Sequence, residues 1–345
     1  MSALRLIQIL PLVLLLHCPS ATARQARLPA MHASQVSVSG LSAGGYMAVQ
    51  FEVAFSASVM GAGIIAGGPY YCAQGNVYTA TTACSCTNTL YACRVRPGGS
   101  HVPQLIAVTD LLAIDGAIDP PAGLLHHKIW MLSGSADTLV PRAVMDDLKT
   151  YYRHYVDASQ ISYRRDLPAQ HAMPTDSYGK RCDQLGSPYI NNCGYDAAGA
   201  LLQWIYGPLL ARNSGPRAGR LLRFNQGEFL PNPTWHGMAD SGYLYLPPGC
   251  DDGSGCKLHV VFHGCLQDPT NIGLTFVEHA GYNSWADSNR IMLLYPQAAP
   301  LYPVANPQAC WDWFSYDDPR YAQQAGHQMA AVKRMVDRLT GNALP

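Results

Sequence analysis

Residues 35–55 read Q-V-S-V-S-G-L-S-A-G-G-Y-M-A-V-Q-F-E-V-A-F, and this stretch decides the fold. Its first five residues have the short extended character of a strand, and everything after Gly45 has the character of a helix. Between them stands Gly40-Leu41-Ser42-Ala43-Gly44, a G-x-S-x-G pentapeptide. A strand-to-helix turn of this kind is so tight that side chains beside the serine must be absent, and it lifts the serine hydroxyl above the sheet. Gly45 adds a third small residue where the helix must approach the strands closely.

Working outward, short apolar runs at 35–40, 61–66, 128–133, 257–262 and 291–295 predict strands buried on both faces. Helical stretches separate them. Tyr321, Ala325, Met329, Val332, Val336 and Leu339 recur at helical spacing, and Asp196 is placed to cap a helix that Gly207-Pro208 would stop. Strands alternating with helices predict an α/β fold with a mostly parallel sheet. The Gly/Pro/Ser-rich segment 211–219 reads as a linker, but both its neighbours look like parts of one sheet. We therefore expect a signal peptide at 1–23 and one domain over 24–345.

The leader expectation rests on Arg5, the apolar run 6–16 and Ala21-Thr22-Ala23, the pattern of a secretory signal peptide cleaved after Ala23. Cys18 would suit lipid attachment, but the bulky His17 before it does not. The apolar run is far shorter than a membrane span, so no membrane span is expected. Export into an oxidising compartment, extracellular or periplasmic, follows. Without Cys18, ten cysteines remain, an even number that reads as five disulfides. Cys84-Ser85-Cys86 and Cys93 raise the idea of zinc, but no C-x-x-C pair or helical histidine pair accompanies them, so no metal is expected.

Composition narrows the function further. The 345 residues carry 23 basic and 23 acidic side chains, and charged residues make up only 13%, about half the usual share. No basic excess exists to bind nucleic acid. The apolar content of 48% excludes disorder.

A serine hydroxyl becomes a nucleophile only when a base takes its proton and a carboxylate orients that base. After such a turn the partners follow in the order acid, then histidine. Asp137, ending the strand-like K-I-W-M-L-S-G-S-A-D, is the best-placed acid, ahead of Asp110, Asp115 and Asp119. Spacing alone does not separate a catalytic Asp137 from a simple turn former. His171, in L-P-A-Q-H-A-M-P-T after the strand-like residues 161–163, falls at the expected place. His154 sits in a polar helix, and His101, His126, His127 and His236 lack a strand-end setting.

Acyl transfer also requires two backbone N–H donors for the oxyanion, one normally from the residue after the nucleophile, here Ala43. The second usually comes from a His-Gly loop on an earlier strand. Here L-H-V-V-F-His263-Gly264-Cys265 lies far downstream of Ser42. A circular permutation resolves the order: residues 220–345 would supply the first strands and 35–207 the rest, joined at the 211–219 linker.

With G-L-S-A-G-G-Y-M-A-V-Q, S-G-S-A-D, Q-H-A-M-P-T, V-V-F-H-G-C-L-Q and C-W-D-W-F in that order, the chain resembles the secreted poly(3-hydroxybutyrate) depolymerases with a permuted α/β-hydrolase domain. The resemblance runs over about residues 35 to 340. It implies a Ser42–Asp137–His171 triad, an oxyanion hole of the Ala43 and Cys265 N–H groups, and a Cys265–Cys310 disulfide. It implies no cofactor, and at least one of Trp311 and Trp313 lining the cleft beside the ester, although alternating positions could equally make one ring core and one exposed. Aromatic walls suit a flexible, uncharged aliphatic polyester or its oligomers. The chain ends after its last helix, like the single-domain members, and a monomer is expected. Two other functions fit the same residues: an esterase for feruloyl, acetyl or short-chain esters, and a polymer-binding protein without catalysis.

Overall fold

The computed structural model describes residues 26–301 and 305–342. The expected leader lies outside them. Eleven strands are present among the described residues: β1 (Ser34–Leu41), β2 (Gly61–Ile65), β3 (Lys128–Leu132), β4 (Ile161–Arg164), β5 (Met173–Thr175), β6 (Lys180–Arg181), β7 (Ile190–Asn192), β8 (Arg220–Asn225), β9 (Ser241–Leu246), β10 (Lys257–Phe262) and β11 (Ile291–Tyr295). Eight form one sheet in the order β4-β3-β2-β1-β10-β11-β9-β8, and β5-β7-β6 form a small second sheet. From β4 to β11 every neighbouring pair is parallel, whereas β9 is antiparallel to both β11 and β8. This is an α/β-hydrolase sheet.

The permutation is visible in this order. β1, the strand that leads into Ser42, lies in the middle of the sheet with β2, β3 and β4 on one side and every strand after residue 219 on the other. Helix Ala197–Tyr206 ends at Gly207, and β8 begins at Arg220 on the far edge, so the linker spans the joint.

Pleating explains why serines alternate along β1. Ser37 and Ser39 face one side of the sheet, where their hydroxyls meet the two ring nitrogens of His259 at 2.6 and 2.7 Å. Tyr206 and Tyr282, from helices Ala197–Tyr206 and Tyr282–Asn289 on that face, complete the network at 2.6 and 2.8 Å. Burial drives the His259 pKa down to about 3, so the ring is neutral, with one nitrogen donating and the other accepting. A fully satisfied buried network of this kind sets the β1–β10 register.

The opposite face carries helix Ala43–Ala54, buried along its whole length. Phe51 packs against Phe262 of β10, and the Glu52 carboxylate accepts from His127 and Tyr152. Close contact demands the glycines. A Cβ on Gly44 would stand 2.3 Å from the Phe262 carbonyl oxygen and 2.4 Å from that of His263, and a Cβ on Gly40 would stand 2.0 Å from the Gly44 oxygen. Gly44→Ala must therefore push the helix off the sheet. We expect it to cost about 3 kcal/mol or more, seen as a fall of several degrees in Tm. An unchanged Tm would show that the helix has slack there.

The expected strands at 35–40, 61–66, 128–133, 257–262 and 291–295 all exist. Asp196 caps its helix by accepting from the Gly199 N–H at 2.8 Å. The last helix begins at His327, not near Tyr321, because Gly326 and the turns before it take up the preceding residues. Among the described residues no helix is long and apolar enough to cross a membrane. The ten cysteines among the described residues form five disulfides: 72–84, 86–93, 182–193, 250–256 and 265–310.

Candidate active site

Ser42 follows β1 directly and caps the helix after it, with φ 57° and ψ −125°. This left-handed conformation is costly for a side-chain-bearing residue and is held only because strand and helix are both locked. Asp137, His171 and Cys265 each follow the C-terminal end of a parallel strand, namely β3, β4 and β10. Sites in open parallel sheets gather at that edge.

The His171 Nδ1 lies 2.9 Å from Asp137 Oδ2, and both side chains are buried. The other carboxylate oxygen, Oδ1, accepts the backbone N–H groups of Leu139 and Val140, each at 2.8 Å. Asp137 thus has one oxygen fixed by its own turn and the other aimed at the imidazole. Gln170, which sequence reasoning passed over, ties the two loops together. Its side-chain oxygen accepts from Thr138 N and His171 N, each at 2.9 Å.

The loop after β10 is braced from several sides. His263 is fully buried, and its Nε2 accepts the Ala298 N–H at 3.0 Å, which leaves Nδ1 to donate to the Gly264 oxygen at 2.7 Å. Burial lowers its pKa, consistent with a neutral ring. The Gln267 side chain accepts the Gly264 N–H at 2.7 Å and donates to the Pro188 and Tyr189 carbonyls at 3.0 Å each. The Cys265–Cys310 disulfide joins this loop to the C-W-D-W-F segment. A Cβ on Gly264 would lie 3.3 Å from the Ser42 Cβ, so this loop runs beside the serine. Among the described residues the backbone N–H groups of Ala43 and Cys265 meet no acceptor. Both residues line a cavity with Ser42.

Two cavities flank Ser42 and share Ser42, Thr87, Cys265 and Gln308. One, of about 300 Å³, is walled by Leu139, His171, Tyr189 and Leu266. The other, of about 190 Å³, is walled by Tyr46, Val77, Val140, Trp313 and Phe314. Both are mostly apolar, so the cleft suits an uncharged ligand lying across the serine.

The two tryptophans part company here. Trp313 stacks on Tyr46 with ring centroids 3.9 Å apart and lines the second cavity. Trp311 does not reach the cleft. It is fully buried, packs edge-on to Phe262, and donates its indole N–H to the His263 oxygen at 2.9 Å. Its expected contact with substrate is therefore corrected to a role behind the loop. Trp311→Phe would leave the buried His263 carbonyl unpaired, and we expect a stability loss of about 1–3 kcal/mol in a guanidinium unfolding series. No loss would mean that this hydrogen bond does not hold the loop.

No family model matches the chain. A poly(3-hydroxybutyrate) depolymerase of Delftia acidovorans is 45% identical over 319 residues, covering 90% of this chain. The chain spans 61% of that relative's length. A polyhydroxybutyrate depolymerase of Talaromyces funiculosus is 41% identical over 330 residues, covering 90% of this chain and 92% of that one. Among solved structures, the PHB depolymerase from Penicillium funiculosum superimposes with a TM-score of 0.82 at 39% identity, covering 92% of this chain and 99% of that one. A serine-to-alanine PHB depolymerase complexed with an R3HB trimer matches equally well. With this identity extending over nearly the full length of the Talaromyces protein, the chain belongs to the poly(3-hydroxybutyrate) depolymerase family.

Proposed function

We propose that this chain is a serine esterase that hydrolyses the ester bonds of poly(3-hydroxybutyrate) and its oligomers through an acyl-enzyme on Ser42. The observation that carries this reading is that Ser42, His171 and the N–H-bearing Cys265 line one cleft whose walls are largely apolar. Its relatives include a depolymerase complexed with an R3HB trimer.

In the first step Ser42 Oγ attacks the ester carbonyl while His171 Nε2 takes its proton. Asp137 keeps the imidazole proton on Nδ1 and stabilises the imidazolium that forms. The oxyanion accepts from the Ala43 and Cys265 N–H groups, which are fixed beforehand and cost no reorganisation. His171 then protonates the departing alkoxide, and in the second step it activates the water that releases the acyl fragment. Trp313 and its neighbours hold the methyl-bearing chain beside Ser42 through apolar contact. No cofactor enters these steps.

All these groups come from one chain, so we propose that a monomer suffices and that 24–345 forms a single catalytic unit. We further propose export, which would provide the oxidising conditions that five disulfides require.

The test is the turbidity of a poly(3-hydroxybutyrate) granule suspension after adding the purified mature protein. Clearing by the wild type, and none by Ser42→Ala, is expected. A stable suspension with rapid cleavage of short soluble esters would instead assign a small-ester or cell-wall esterase. If neither substrate is cleaved while the granules still sediment with the protein, it is a polymer-binding protein without catalysis.

A further inference from the structure

Away from the cleft, three side chains from distant parts of the sequence converge on one point. His236 ends a short 3-10 turn between β8 and β9, Asp317 lies in the loop after Trp313, and His327 opens the last helix. The Nδ1 of His236 stands 3.0 and 3.1 Å from the two Asp317 carboxylate oxygens, and the Nδ1 of His327 stands 2.9 Å from Oδ2. The two imidazole rings are 4.3 Å apart, centroid to centroid. All three ligand atoms lie within 4.8 Å of one another. A second carboxylate, Asp318 Oδ2, stands 3.6 Å from the His327 Nδ1.

We infer that His236, Asp317 and His327 form a binding site for a divalent transition-metal cation of the zinc class, with water completing its coordination. Two nitrogens and one carboxylate oxygen are the donor set such ions prefer. Ligands at about 2.1 Å from a metal stand about 3.0 Å apart in octahedral and about 3.4 Å apart in tetrahedral geometry. The two histidine-to-Asp317 separations, 2.9–3.1 Å, match the first and reach the second with shifts of a few tenths of an ångström, and the two imidazole nitrogens, within 4.8 Å of each other, close on a common ion by small ring rotations. The two histidines are partly exposed, which leaves a path for the ion and its water, whereas the Asp317 side chain is largely covered.

The support around the donors is that of a built site. The buried Asp312 carboxylate accepts the N–H groups of Tyr316, Asp317 and Asp318 at 2.9, 3.2 and 3.0 Å, which shapes the loop that presents Asp317. Gln328 donates to the His236 carbonyl at 2.7 Å and accepts the Asp312 N–H at 2.8 Å, fastening the turn and the loop to the last helix. Asp318 Oδ2 accepts the His327 N–H at 3.1 Å. Outer contacts of this sort fix ring and carboxylate orientation before an ion arrives. A bound cation would pin the loop that carries Trp313 and Phe314 to the helix and the turn, making the site a structural clamp on the aromatic wall.

Neither a C-x-x-C pair nor a helical histidine pair marks this site in the sequence. These donors are separated by 81 and 10 residues and meet only in the fold.

The experiment is isothermal titration of untagged, EDTA-treated mature protein with zinc chloride, alongside His327→Ala and Asp317→Asn. The wild type is expected to bind one ion per chain with roughly micromolar affinity or tighter, with a rise in Tm on binding. Each variant should lose about 100-fold in affinity or more and show no Tm rise. Cobalt(II) added to the wild type should give visible d–d bands that the variants lack. Asp317→Asn keeps the shape of the side chain, so it remains informative if His327→Ala folds poorly. Zinc binding of equal affinity in wild type and both variants, or no binding at millimolar zinc, would overturn the site and leave a plain His–Asp–His hydrogen-bond cluster.

Discussion

Replacing Ser42 with alanine is expected to lower kcat for ester hydrolysis by on the order of 10⁵-fold while leaving Tm nearly unchanged. The two halves of this expectation come from different parts of the residue. Its backbone holds φ at 57° because β1 and the following helix are locked, and alanine has the same Cβ to accommodate. Its hydroxyl is the only part that the proposed chemistry uses, and the Ala43 and Cys265 N–H groups are intact without it. A fluorophosphonate should label the wild type at Ser42 and leave the variant unlabelled. Label on another serine, or a variant retaining a hundredth of the wild-type rate, would remove Ser42 from the mechanism.

Asp137→Asn is expected to reduce kcat by about 10⁴-fold with little change in KM or Tm. The reason lies in how the carboxylate is already engaged. Oδ1 accepts two N–H groups, from Leu139 and Val140, so an asparagine must place its own oxygen there. Its NH₂ then necessarily faces the His171 Nδ1, 2.9 Å away in the wild type. An amide that donates to Nδ1 forces the imidazole proton onto Nε2, the nitrogen that must be free to take the proton from Ser42. The fold keeps its turn while the base loses its lone pair. Stopped-flow kinetics on a soluble ester would measure the effect, and a loss smaller than tenfold would mean that Asp137 only shapes its turn.

Much of this site was legible because it depends on strand ends and glycines, which leave local marks. Ser42, Asp137 and Cys265 each follow a short apolar run, His171 follows the strand-like residues 161–163, and all four segments are parallel strands. Other features left no such mark. β9, S-G-Y-L-Y-L, is buried on both faces and so shows no alternation, and the strands of the second sheet are two or three residues long. Gln170 and Gln267 act through side-chain bonds to backbone groups that depend on loop conformation, which residue type alone does not reveal. Trp311 and Trp313 alternate, which assigns them to opposite sides without saying which side is the cleft. The structure answers through the buried His263 carbonyl, which takes up the Trp311 indole.

The joint at 211–219 has a consequence for how the protein is made. Three disulfides lie wholly before it and two wholly after, so no covalent bridge crosses it. What unites the two segments is the β1–β10 ladder and the helices beside it, where Ser37 meets a histidine 222 residues further along the chain. Such distant pairing forms late, because a long loop must close before it contributes anything. β1 therefore leaves the ribosome among the first elements with its neighbour β2, yet its other neighbour, β10, is among the last. Until residues 257–313 have arrived, the emerging polypeptide carries Ser42 without the Cys265 loop and the Trp313 wall that line its cavity. Under the proposed assignment the cleft is therefore complete only once both segments have been made, and a nick in the linker would leave two fragments that only the sheet can reunite.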